Sequence, residues 1–292
     1  MAGVKDLKKK IKSTKGTHKI TSAMKLVSAA KLARAQSAIQ GARPYAGELE
    51  KSIKTISALV QGYEHPFLAI PKEEVSERAL ILVISSDKGL CGGFNSNLTK
   101  AVRAFIKNNP EVEFKFYFIG KKVRDVIKQE VNEGKTFTFA RIDPSYDEIR
   151  KVAEELSHLF MTGEVGKVFV AYNSFKSAMS IEPKVSQVLP MTLPQEEKEK
   201  LKEEFPFDFK YEPAPSEILN AIIPQVYVSS LYTKMLDSVA SEHGSRMTAM
   251  DSATKNSKEM IRTLTLKMNK VRQAAITTEL IEVISGAQSQ NA

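Results

Sequence analysis

Residues 257–275, SKEMIRTLTLKMNKVRQAA, set Ser257, Ile261, Leu264, Met268, Val271 and Ala275 at intervals of 4, 3, 4, 3 and 4. That spacing puts the six side chains in one stripe along an α-helix, the seam used by a coiled coil. A repeat averaging about 3.5 residues on a helix of about 3.6 residues per turn predicts a left-handed supercoil. So narrow a stripe cannot hold a long helix in water on its own, and a second helix is required.

Helical texture extends outward from this segment over Ser216–Ile284, roughly 100 Å at 1.5 Å per residue, with Pro224 a candidate kink. The partner is expected at the other end of the chain. Val4–Leu59 is dominated by Ala, Ser, Lys and Leu and reads as a helix of roughly 80 Å, disturbed at Gly41–Pro44. Within it Ile20, Met24, Val27 and Lys31 repeat the 4-3-4 spacing. Ala23, Ala29, Ala30, Ala33, Ala35 and Ala38 offer a small-residue seam across which two backbones could approach closely. The simplest arrangement is an antiparallel two-helix coil made from the two termini.

The texture changes between these segments. GYEHPFLAIPKEE (62–74) reads as a linker. Strands are expected at Ala79–Ile84, Glu113–Ile119, Phe137–Phe139, Lys167–Tyr172 and Ile181–Leu189, the last at a sheet edge because of Pro183. Helices are expected at Leu98–Lys107, Lys121–Glu130 and Tyr146–Met161. Strands alternating with helices imply βαβ units and a mainly parallel sheet. The expected fold class is therefore α/β: a long antiparallel coiled coil from the termini with an inserted Rossmann-like domain. The expected division is 1–60 for the N-terminal helix, 61–78 for a linker and 79–190 for the α/β domain. A connecting loop over 191–214 and a C-terminal helix over 215–292 complete it.

The net charge of +9 is uneven: residues 1–60 hold thirteen Lys and Arg against Asp6, Glu48 and Glu50, a net of +10. Such a segment wants an acidic partner, whether protein, anionic lipid or nucleic acid, or else is a solvated face. It holds one aromatic residue, Tyr45, and fits no nucleic-acid module. The longest apolar run, ALILVI (79–84), is far short of the about 20 residues that span a bilayer, so no membrane insertion is expected. MAGVKDLKKKIK carries no apolar stretch behind its lysines and is not a secretory signal.

Chemistry-bearing patterns are sparse. SSDKGLCGGFNSN (85–97) lies between a strand and a helix, where phosphate loops sit, but matches neither GxGxxG nor GxxxxGK[ST]. A tight turn is the better use of its glycines. Cys91 is the lone cysteine, and His18, His65, His158 and His243 stand outside metal-ligand spacing. No catalytic, cofactor-binding or metal-binding residues are therefore expected.

Four stretches carry a resemblance: KKKIKSTKGTHKITSAMKLVSAAKLARAQ (8–36), the SSDKGLCGG turn, SEHGSRMTAMDSATKN (241–256) and RQAAITTELIEVISGA (272–287). In that order they resemble the gamma subunits of F-type ATP synthases. Lys88 stands where Arg is usual and Gly244 where a small helix former is usual; the cysteine pair of chloroplast members is absent. The resemblance implies a non-catalytic central rotor stalk. Its partners would be the alpha and beta subunits of the catalytic hexamer, the epsilon subunit and the membrane c-ring. It would sit peripherally on the cytoplasmic face of a bacterial membrane and use no cofactor. It implies contacts to beta at Met24, Lys25, Arg246, Arg272, Gln273 and Thr277, and a foot facing the c-ring at Phe209 and Glu212. The competing readings are a basic coiled-coil scaffold or nucleic-acid-associated protein, and third an enzyme built on the βαβ insert.

Overall fold

The computed structural model describes residues 3–60, 63, 65–69, 75, 77–139, 144–191, 195–205 and 210–290. Two helices dominate: α1 spans Val4–Leu59 and, numbering the helices in chain order, α6 spans Pro215–Gln290. Both run through their internal prolines, Pro44 and Pro224, where a break or kink was a reasonable expectation. Each proline removes one backbone hydrogen bond, a local cost that dozens of flanking bonds and tertiary packing absorb.

Between them lie β1 (Arg78–Ile84), α2 (Phe94–Asn108), β2 (Glu113–Ile119), α3 (Arg124–Ile127), β3 (Asn132–Phe137), α4 (Tyr146–Met161), β4 (Lys167–Phe175), β5 (Ile181–Leu189) and α5 (Gln195–Glu204). The five strands form one sheet in the order β3-β2-β1-β4-β5. β1 pairs in parallel with both β2 and β4, and β5 closes the far edge antiparallel to β4. Pro183 therefore sits on an edge strand, where its missing N–H matters least.

The sequence of β1 explains its central place. Ala79 to Ile84 are all at most 1% exposed, so both faces are covered, as in a parallel sheet flanked by helices. On one face Ala79, Ile81, Val83, Phe114, Phe116 and Phe118 pack with Leu98 and Val102 of α2. Each of the Val, Leu, Ile and Phe side chains contributes about 1.5–3 kcal/mol by leaving water. α4 is set by its ends: the Glu148 N–H donates to Ser145 Oγ at 3.3 Å, and the Ser145 N–H to Glu148 Oε2 at 2.8 Å, a capping box. Gly163, at φ +75, follows its last turn.

Three local expectations change. The third strand is Asn132–Phe137 rather than 137–139, a polar edge strand whose NEGKTF lacks the β-branched signal. The helix expected over 121–130 is the single turn Arg124–Ile127. The segment 191–214, expected as loop, contains α5, whose QEEKEKLKEE consists of strong helix formers.

By contacts the chain divides into a unit made of Met1–Ser28 with Arg246–Ala292 and a unit made of Ala29–Ser245. In the larger unit the Arg43 guanidinium donates to Asp237 Oδ1 at 2.8 Å and to the Phe175 carbonyl at 3.2 Å, tying α1 to α6 and β4. Ser238 and Ser241 donate to the carbonyls of Ile84 and Asn173, which seats α6 at the ends of β1 and β4.

Candidate functional site

The smaller unit is a pair of helices, and its cross-links define their direction. Lys25 Nζ donates to Asp251 Oδ1 at 2.6 Å. Thr254 Oγ1 donates to Thr21 Oγ1 at 2.9 Å, and His18 Nδ1 lies 3.2 Å from the Thr254 carbonyl. The Thr14 hydroxyl lies 3.9 Å from Met260 Sδ. Residue numbers fall on α1 as they rise on α6, so the helices are antiparallel.

On α1 Leu7, Ile11, Thr14, His18, Thr21, Lys25 and Ser28 are covered and follow a strict 4-3 alternation, with Val4, Ser22 and Met24 half-covered beside them. The stripe read from hydrophobicity is displaced by one residue from it. Ile20 and Val27 are 62% and 58% exposed. Of the alanine stripe, Ala35 is buried and Ala29 half-buried, whereas Ala23, Ala30, Ala33 and Ala38 are exposed, so the stripe is covered only in part. The reason is that the true seam is largely polar here and is held by bonds across it, which an apolar pattern cannot reveal. On α6 the expected positions hold through Ser257, Ile261, Leu264, Met268 and Val271, all at least half-buried. Ala275 is exposed, because no described residue of α1 reaches that far along α6.

Beyond Val271 no described side chain of α6 is covered. Ile276, Leu280, Ile281, Val283 and Ile284 are 49–69% exposed. An apolar cluster this dense in water marks a surface meant to be enclosed. Ile20, Leu26 and Val27 present a second, smaller apolar set on α1. Their outward direction was hidden by the misplaced seam.

Arg272, Gln273 and Thr277 are exposed on the uncovered stretch, the Thr277 hydroxyl bonding back to the Gln273 carbonyl at 2.9 Å. Met24 is half-buried. Lys25 is engaged with Asp251 inside the pair, and Arg246 is only 8% exposed, which leaves little of it for another subunit to touch. Glu212 is exposed just before α6; Phe209 lies outside the described residues.

Asp251 receives Lys25 and, at 2.8 Å, Lys255. Hydrogen bonds from these two ammonium groups pull its carboxyl from the ordinary 3.8 down to about 2. A carboxyl whose folded pKa is depressed stabilises above the unfolded pKa and loses that contribution as pH falls through the folded one. Thermal melts followed by circular dichroism should therefore show a modest fall in melting temperature between pH about 4 and about 2. Asp251→Asn should flatten that portion of the profile; an unchanged profile would remove Asp251 from the explanation.

The glycine turn after β1 is filled by its own groups. Asn95 Nδ2 donates to Ser86 Oγ at 2.8 Å, Ser86 Oγ donates to the Lys88 carbonyl at 2.8 Å, and Cys91 is buried beside them. Leu90 and Gly92 take positive φ of 64 and 57. These polar atoms brace the turn and do not converge on an outside ligand. Among the described residues no His, Cys, Asp and Glu cluster could hold a metal, and no helix is long and apolar enough to cross a membrane.

A family model described as ATP synthase matches residues 3–289. An ATP synthase gamma chain of Geotalea daltonii is 42% identical over 291 residues, covering 99% of both chains. One of Geobacter metallireducens is 41% identical, again over 99% of both. Among solved structures, a chain of the Euglena gracilis mitochondrial ATP synthase aligns with a TM-score of 0.68 at 18% identity, covering 98% of this chain and 94% of its own. A chain of the Tetrahymena thermophila central stalk and c-ring aligns at 0.59 and 24%, covering 80% and 99%. At those identities the two structures speak for the fold, while the family match and the bacterial relatives settle descent: the chain belongs to the gamma-chain family of ATP synthases.

Proposed function

We propose that this chain is the central rotor of an F-type ATP synthase, turned at its foot by the membrane c-ring with the epsilon subunit. Its α1–α6 pair turns inside the alpha and beta subunits. The family supports this reading over that of a basic scaffold or nucleic-acid-associated protein. The chain makes and breaks no bond itself; it sits peripherally, on the cytoplasmic side in a bacterial cell. Three beta subunits of one sequence can differ only if an asymmetric body touches them, and a shaft favours a different state in each. The observation that carries the reading is a polar-bonded antiparallel pair from which an apolar helix end runs on uncovered.

In this reading Arg272, Gln273 and Thr277 meet beta directly, and Arg272 can grip a carboxylate with two parallel bonds. Met24 meets beta from α1, alongside the exposed Ile20, Leu26 and Val27. Lys25 and Arg246 act from within the shaft, Lys25 through its bond to Asp251. The +10 charge of residues 1–60 draws the shaft toward acidic surfaces without locking one angle, since such attraction varies slowly with distance. Phe209 and Glu212 belong to the foot. Each charge crossing 100 mV supplies about 2.3 kcal/mol.

The test joins the two helices covalently. Thr21→Cys with Thr254→Cys places two thiols where the hydroxyls now meet at 2.9 Å. Oxidation in the assembled complex is expected to form the bond and to leave ATP turnover within about two-fold, because both helices turn together. Turnover abolished by that bond would defeat the reading that the pair moves as one body. Failure of the thiols to join would defeat the pairing itself.

A further inference from the structure

In the larger unit a cavity of about 420 Å³ opens between α1, α6 and the end of β5. Its size falls in the range of small-molecule sites, roughly 300–1,000 Å³. Nothing in the rotor reading uses it. Its chemistry is mixed: Ile53, Val188, Met191 and Val226 give apolar wall, while Lys234, Tyr227 and Ser57 bring donors.

Two of those donors lack partners. Tyr227 is 2% exposed, and its hydroxyl has no hydrogen-bond partner among the described residues. The Ser57 hydroxyl is sealed from solvent in the same condition. Native proteins seldom leave two buried hydroxyls unsatisfied on one cavity. The Tyr227 ring is held by the edge of Phe67, centroids 5.3 Å apart, and burial pushes its phenol pKa up, so it remains a protonated donor. Lys234 Nζ, with three donor hydrogens, gives one to Ser230 Oγ at 2.6 Å. Burial pushes its pKa down while Glu50 and Asp237 pull it up. Glu50, the carboxylate on the wall, is paired with Lys54 at 3.4 Å.

We propose that this cavity binds a small amphipathic monoanion, a free carboxylic acid whose head meets Lys234 and the Tyr227 hydroxyl and whose apolar body lies on Met191, Val188 and Val226. A carboxylate offers lone pairs to the Tyr227 hydroxyl and to the hydrogens that Lys234 has left, and a dianion would meet the Glu50 carboxylate.

The experiment uses the full chain with [13C]methyl-methionine, the Met191 signal being identified by Met191→Leu. Octanoate, below its micellar concentration, should shift the Met191 methyl saturably; octan-1-ol, equal in length and uncharged, should bind at least about ten-fold more weakly. Lys234→Met should weaken octanoate binding at least about ten-fold, and Tyr227→Phe about three-fold. Absence of a Met191 shift would overturn the proposal. So would equal binding of octan-1-ol, or an unchanged affinity in Lys234→Met. A shift of Met260 on the exposed coil at the same concentrations as Met191 would indicate non-specific adsorption and overturn it equally. The comparison of acid with alcohol uses the unaltered chain, so the result stands even if a variant fails to fold. None of these readouts depends on rotation, so failure here leaves the rotor reading untouched.

Discussion

Replacing Gly120 by alanine is expected to destabilise the sheet-bearing unit by about 2–5 kcal/mol. The residue follows β2 at φ +82, where a side chain costs about 1–2 kcal/mol by itself. A Cβ built there would lie 2.1 Å from the carbonyl oxygen of Ser85, inside any tolerable contact. That oxygen is backbone and has nowhere to go. The Ser85 N–H donates to the Ile119 carbonyl at 2.7 Å and its hydroxyl to the same carbonyl at 3.2 Å, locking β1 to β2 where both strands end. Gly163→Ala is the control: φ is +75 there, but nothing stands within 4 Å of an added Cβ. Denaturant titration should give the control a loss of about 1–2 kcal/mol only. Equal losses at the two sites would show that backbone conformation alone, without the clash, accounts for the effect.

Leu280→Asp with Ile284→Asp should reduce ATP turnover of the assembled complex at least ten-fold, corresponding to about 1.4 kcal/mol or more. The two positions are one helical turn apart and 57% exposed each, so one face of α6 is altered. In the isolated chain the change removes no contact, and stability should move by no more than about 0.5 kcal/mol. In the complex, enclosure of two carboxylates against apolar surface carries a large desolvation cost. Leu280→Asn with Ile284→Asn should give a smaller loss, which separates charge from shape. Wild-type turnover in the Asp variant would mean that the apolar end is not gripped by its surroundings.

The contrast between the two helices shows what could be read before any coordinates. β1, β2, α4 and β4 were legible because each buries a continuous or periodic apolar pattern. The α6 seam was legible for the same reason, through Ile261, Leu264, Met268 and Val271. The α1 seam was not, because Thr14, His18, Thr21, Lys25 and Ser28 fill it, and the partners of the first four lie more than two hundred residues away. Hydrophobicity then chose Ile20 and Val27, which face outward. The same blindness affected the residues expected to touch beta. Arg272, Gln273 and Thr277 could be placed on an exposed stretch from sequence, whereas the engagement of Lys25 and the burial of Arg246 could not. The Lys234 cavity left no trace in any motif, since its walls come from four separated segments.

The polar filling of the α1 seam bears on how the pair would respond to mechanical load. Apolar side chains in a dry groove attract without direction, so two helices held only by them can creep past one another in steps of a heptad. A short ammonium–carboxylate bond and a threonine pair tolerate no such sliding: displacement by one repeat would strip Lys25 from Asp251 and Thr21 from Thr254. Twisting applied at one end is thereby passed along as rotation and not dissipated as longitudinal slip.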